Sequence, residues 1–135
     1  MRIIWVDDDS FGILSVIEKR FRRNGLSVER FRCYEDAENF INQRLRPMDT
    51  FLIDFILPSK EVKVSAFLGL VIAQLALEKN VKNITFLSVV SKNEVQKDLD
   101  KLKEDHPDFN YEYFNKAELV GRGIFENLIT SLKRQ

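Results

Sequence analysis

Cysteine occurs once in the 135 residues, at Cys33. A lone thiol excludes an internal disulfide, the usual staple of small secreted domains, and is ordinary in a reducing cytoplasm, so Cys33 is expected to be inert. An excess of either charge is also missing: 21 lysines and arginines stand against 21 aspartates and glutamates. No net field therefore draws the chain toward nucleic acid or an anionic membrane. Long apolar runs are absent too. The longest, Ala66 to Leu77, contains Gln74 and falls short of the roughly 20 residues that span a bilayer. With five glycines and three prolines, no flexible or proline-rich linker divides the chain. A strand-like run begins already at Arg2, where a secretory leader would place its charged and apolar regions. The expected location is the cytoplasm.

What is present is hydrophobic and regularly spaced. Hydrophobic residues make up 44% of the chain, with 11 phenylalanines, enough for one self-supporting core at this length. Short β-branched and aromatic runs at Arg2 to Val6, Ser27 to Phe31, Thr50 to Phe55, Asn83 to Val89 and Asn110 to Phe114 predict five strands. Between them lie residues at helical spacing: Leu14, Ile17 and Phe21; Ala37, Phe40, Ile41 and Leu45; Val95, Leu99 and Leu102; Ile124, Phe125, Leu128 and Leu132. A fifth helix, Phe67 to Lys79, is apolar almost all round, which deep packing explains slightly better than a protein interface. Asn24-Gly25 supplies a left-handed stop for the first helix, and Glu35 and Asp36 put negative charge into the first turn of the second. Strict strand and helix alternation predicts a parallel sheet with helices on both faces, a doubly wound α/β fold. The nearly continuous apolar runs of the first, third and fourth strands mark them as central.

In such a sheet, ligands bind beyond the carboxyl ends of the strands. Asp7 and Asp8 follow the first strand and Asp54 ends the third. Two carboxylates about 4 Å apart repel by roughly 4 kcal/mol at an effective dielectric near 20, so a cluster of them takes up protons or recruits a cation. Mg²⁺, which accepts one or two carboxylates and completes its shell with water or phosphate oxygens, fits that demand. Ser88 and Lys116 arrive at the same rim from the fourth and fifth strands. An aspartate among a metal, a hydroxyl and an ammonium can act as a nucleophile toward phosphorus. Asp54, alone on the central strand, is the candidate.

The order VDDD, DFILP, FLS and YFNK across five strand and helix units resembles the receiver domain of two-component response regulators, over the whole chain. The resemblance implies a flavodoxin-like fold with strand order 2-1-3-4-5, and one receiver domain over 1–135 with an insertion at about 59–66. It implies phosphorylation on Asp54, with Asp7, Asp8, Asp54 and the main-chain carbonyl of Ile56 around Mg²⁺ and Asp8 the more direct ligand. Ser88 matches the switch hydroxyl, Tyr113 the switch aromatic, and Lys116 the lysine that contacts the phosphoryl group. Phosphorylation would draw Ser88 toward the new oxygens and let Tyr113 turn inward. The partners implied are a histidine kinase or histidine phosphotransfer protein as donor and an unidentified output protein. Direct nucleic-acid or membrane contact is not implied, and a homodimer is compatible with it. Such a chain is a signalling domain that assists its own phosphoryl transfer and dephosphorylation rather than an enzyme with external turnover.

Three positions depart from that pattern. Ala117 follows Lys116 where the family has proline after a cis bond; a non-proline cis bond costs roughly 2.5–4 kcal/mol, so a trans bond or a strained loop is expected. Val89 stands where a smaller residue is usual, and Gly69 comes fifteen positions after Asp54, later than usual. These departures keep a degenerate receiver, binding partners without phosphorylation, as the alternative. A metal-dependent phosphohydrolase would carry an acid two positions after its nucleophile, where this chain has Ile56.

Overall fold

The computed structural model describes residues 2–8, 14–60, 67–120 and 124–134. Asp9, expected to begin or cap the first helix, and 61–66 of the expected insertion lie outside the described residues, as do the side chains of Leu14, Ile124 and Phe125. The elements run β1 (Arg2–Val6), α1 (Leu14–Arg23), β2 (Ser27–Phe31), α2 (Tyr34–Gln43), β3 (Thr50–Ile53), α3 (Leu68–Glu78), β4 (Asn83–Ser88), α4 (Lys92–Asp105), β5 (Asn110–Asn115), a 3₁₀ turn (Lys116–Val120) and α5 (Ile124–Arg134). All strand pairs are parallel and the order is β2-β1-β3-β4-β5. The doubly wound α/β architecture read from the sequence is the one observed.

Alternation along each strand divides the core into two layers. Ile4, Val6, Phe51, Ile53, Ile84 and Phe86 face α2, α3 and α4, where Phe40, Ile72, Val95 and Leu99 meet them. Ile3, Trp5, Leu52 and Leu87 face the other way, onto Ile17 and Phe21 of α1 and Leu128 and Leu132 of α5. Cys33, buried at the start of α2, belongs to the packing. Gly25 takes φ +79°, and the Asn24 side chain donates to the Arg20 carbonyl, which closes α1 as expected. No helix among the described residues is long and apolar enough to cross a membrane.

Strand ends differ from the sequence reading where the functional rim begins. β3 stops at Ile53, not Phe55, because Asp54 leaves the ladder while its N–H still reaches the Val6 carbonyl at 3.0 Å, and Phe55 turns inward to stack on Phe86 at 4.5 Å. β4 stops at Ser88, since Val89 swings out to 54% exposure. β5 extends one residue further, to Asn115, which pairs with Ser88.

α3 and α4 are anchored very differently. α3 buries Gly69, Ile72, Ala73, Ala76 and Leu77 on one face, while Leu68, Leu70 and Leu75 are half-buried and Phe67 and Val71 exposed, so the deep packing expected all round is confined to that face. α4 buries only Val95, Leu99 and Leu102 among its many charges.

Candidate functional site

The register brings the separated acids to one rim. β1 and β3 are neighbours with Val6 opposite Ile53, so Asp7 and Asp54 leave the sheet side by side. Asp7 is fully buried and Asp54 nearly so, while Asp8 is half-buried. One carboxylate oxygen from each of Asp7, Asp8 and Asp54 lies within 4.8 Å of the other two. Oxygen donors of this kind are the ones a small hard cation such as Mg²⁺ takes, and these would draw closer around it, since opposite ligands of its octahedron stand about 4.2 Å apart.

β4 and β5 deliver the other two groups. The Ser88 hydroxyl donates to Asp54 Oδ1 at 2.7 Å, and the Ile56 N–H donates to the same oxygen at 3.2 Å. Lys116 Nζ donates to Asp54 Oδ2 at 2.7 Å and lies 2.8–2.9 Å from the Asp7 carboxylate oxygens. Burial alone would lower the Lys116 pKa, but Asp7 and Asp54 together outweigh it and hold the ammonium above the ordinary lysine value. Three carboxylates thus face one ammonium within this group.

Tyr113 forms the outer flank. Its ring tilts against Phe55 at 5.6 Å, and its hydroxyl donates to the Val90 carbonyl. Burial, then the charges of Asp54 and Glu94, push the phenol up to about 12. Ser88 is thus hydrogen-bonded to Asp54, and Tyr113 sits half-buried against Phe55. The Lys116–Ala117 bond is trans, as is every described peptide bond. Asn115 Oδ1 accepts the Ala117 N–H at 2.9 Å and opens the 3₁₀ turn, so alanine follows the lysine without distortion.

Sequence reasoning missed two supports of this site. Gly69 was only a late glycine; in the fold a Cβ there would lie 2.0 Å from the Asp54 carbonyl oxygen and 2.7 Å from Phe55 Cα. Only glycine lets α3 start against the backbone of Asp54 and Phe55. Glu35 and Asp36 read as favourable charges at a helix start, but they also hold the segment after Asp54. Ser59 Oγ donates to Glu35 Oε2 at 2.5 Å, the Lys60 N–H to Glu35 Oε1 at 2.7 Å, and Lys60 Nζ to Asp36 Oδ1 at 2.8 Å. The beginning of the insertion, Ser59 and Lys60, is fastened to α2. No sequence pattern links residues 24 positions apart, and only the adjacency of α2 to the end of β3 does.

No protein-family model matches the chain, and neither does any curated protein sequence. Solved structures do. The receiver domain of the Francisella response regulator 1452 aligns over 98% of this chain and 97% of its own, with 20% identity and a TM-score of 0.65. The BeF₃-activated N-terminal receiver domain of Klebsiella pneumoniae RstA aligns over 100% of both chains, with 16% identity and a TM-score of 0.68. A CheY-like response regulator receiver domain protein from Methanospirillum hungatei aligns over 99% of this chain and 98% of its own, with 20% identity and a TM-score of 0.58. At such identities the likeness is one of architecture: this chain has the fold of the response regulator receiver domains.

Proposed function

We propose that the chain is a receiver domain that accepts a phosphoryl group on Asp54 from a phosphohistidine-bearing partner and passes the signal on by protein contact. The observation that carries this reading is the convergence on Asp54 of Ser88 and Lys116, one on each carboxylate oxygen, beside Asp7 and Asp8. In the transfer, an Asp54 oxygen bonds to phosphorus as the phosphorus–nitrogen bond to the donor imidazole breaks, and the imidazole leaves as a neutral ring because its other nitrogen has taken a proton from solvent. Lys116 and Ser88 stand ready to bind the oxygens of the incoming group, where negative charge builds up. Asp7, Asp8, Asp54 and the Ile56 carbonyl would hold Mg²⁺, which supplies charge neutralisation at those oxygens. The output face is the flank of Ser88, Tyr113 and α4, whose few anchors leave it adjustable. A histidine kinase or phosphotransfer protein and an output protein are the partners, and the cytoplasm the setting.

A small phosphodonor with Mg²⁺ is expected to add one phosphoryl mass to the intact protein, with no adduct in Asp54→Ala or without the metal. The adduct should decay slowly, because Ile56 and Val90 present apolar side chains where polar ones would orient water. A wild-type chain without an adduct contradicts the reading. It would favour the second one, supported by the prior engagement of both Asp54 oxygens and the half-buried Tyr113: a receiver fold that binds partners without being phosphorylated.

A further inference from the structure

Residues Pro58–Lys60 connect the acceptor to α2 through a short series of bonds. Pro58 accepts the Tyr34 N–H at 3.0 Å. Glu35 takes both the Ser59 hydroxyl and the Lys60 N–H, one on each carboxylate oxygen. Two residues before this clasp Leu57 is fully buried, and one residue earlier still the Ile56 N–H reaches Asp54 Oδ1. The Lys60–Asp36 pair is exposed on both sides, and such pairs contribute little. The hold therefore falls on Glu35, whose carboxyl is kept below its ordinary pKa by the bonds from Ser59 and Lys60.

We propose that Glu35 is a positioning residue for the acceptor site: its clasp on Ser59 and Lys60 fixes the segment that presents Ile56 to Asp54 and to the cation. The inference rests on Asp54 being the phosphoryl acceptor. Groups one step removed from metal ligands govern affinity and rate by holding those ligands in place, and Glu35 acts here through three residues of backbone. Neutral glutamine can serve as well as glutamate, since its amide oxygen accepts the Lys60 N–H and its amide nitrogen donates to Ser59 Oγ. Alanine can do neither.

The test compares Glu35→Ala, Glu35→Gln and the wild type by three measurements: amide exchange by NMR, Mg²⁺ affinity from amide shifts, and the rate of phosphorylation by a small phosphodonor. In Glu35→Ala, exchange at Ile56 and Leu57 should speed up while β1 and β4 amides keep their protection, and Mg²⁺ affinity and transfer rate should each fall about tenfold. Glu35→Gln should stay within about twofold of the wild type. Unchanged exchange and unchanged transfer in Glu35→Ala overturn the proposal, as does a glutamine variant as impaired as the alanine one. If the wild type accepts no phosphoryl group, the acceptor reading fails and takes this inference with it; if it does and Glu35→Ala does so equally fast, only this inference fails.

Discussion

The two flanks of Asp54 are built on opposite principles. On the α2 and α3 side, Gly69 lets a helix begin against the Asp54 backbone, and Glu35 ties down the outgoing segment. On the β4 and β5 side, Ser88 donates to the Asp54 carboxylate, the half-buried Tyr113 donates to the Val90 carbonyl, and α4 has only three buried anchors. Close-packed backbone has no second arrangement nearby, whereas side-chain hydrogen bonds and few anchors do. One flank of Asp54 is thus held by backbone packed on backbone, and the other by side chains with few anchors.

Lys116 bridges the two flanks, and removing it should have the largest effect. Lys116→Met leaves Asp7 and Asp54 buried without their ammonium, so denaturant unfolding should show a loss of about 3 kcal/mol. Added Mg²⁺ should restore part of it, and a loss that ignores Mg²⁺ would mean the acids do not share a cation site. The pH dependence has a definite sign: because the folded-state pKa of Lys116 is raised, its contribution is fully present below the ordinary lysine value and disappears only as pH rises through the higher folded one.

Gly69→Ala tests the fixed flank. A methyl placed 2.0 Å from the Asp54 carbonyl oxygen must push α3 or the acceptor aside, at about 2 kcal/mol, and phosphorylation should slow with it. An unperturbed variant would show that this flank yields.

Tyr113→Phe tests the adjustable flank and should have the smallest effect, about 1 kcal/mol for one hydrogen bond to the Val90 carbonyl. Spectrophotometric titration of the folded wild type should find phenols ionising near 12, where burial and then the hydrogen bond to Glu38 hold Tyr34, and burial and then the charge of Asp54 hold Tyr113. The tyrosines' contribution to stability is present below the ordinary value near 10 and lost toward 12. If Tyr113→Phe leaves the late-titrating absorbance undiminished, the phenol is not held as described.

The fold was legible because its signals are local. Apolar runs bounded by turns gave β1 and β2 to the residue, and Val95, Leu99 and Leu102 gave the buried stripe of α4. Where a strand leaves its ladder depends on neighbours, which is why the expected ends at Phe55, Val89 and Phe114 each moved by one or two residues. For the site, chain order and strand ends sufficed to bring Asp7, Asp8, Asp54, Ser88 and Lys116 together. The role of Gly69 and the double duty of Glu35 were invisible, because each is defined by backbone that arrives from elsewhere in the sequence.

The Gly69 N–H donates to the Phe55 carbonyl at 3.0 Å, so the chain, in the first turn of α3, returns to the residue that follows Asp54. An excursion whose two ends are already joined can grow at little thermodynamic penalty, about 0.6 kcal/mol for each doubling of its length. Lengthening the sequence between Lys60 and Phe67 should therefore cost little stability while Phe55 and Gly69 stay tied.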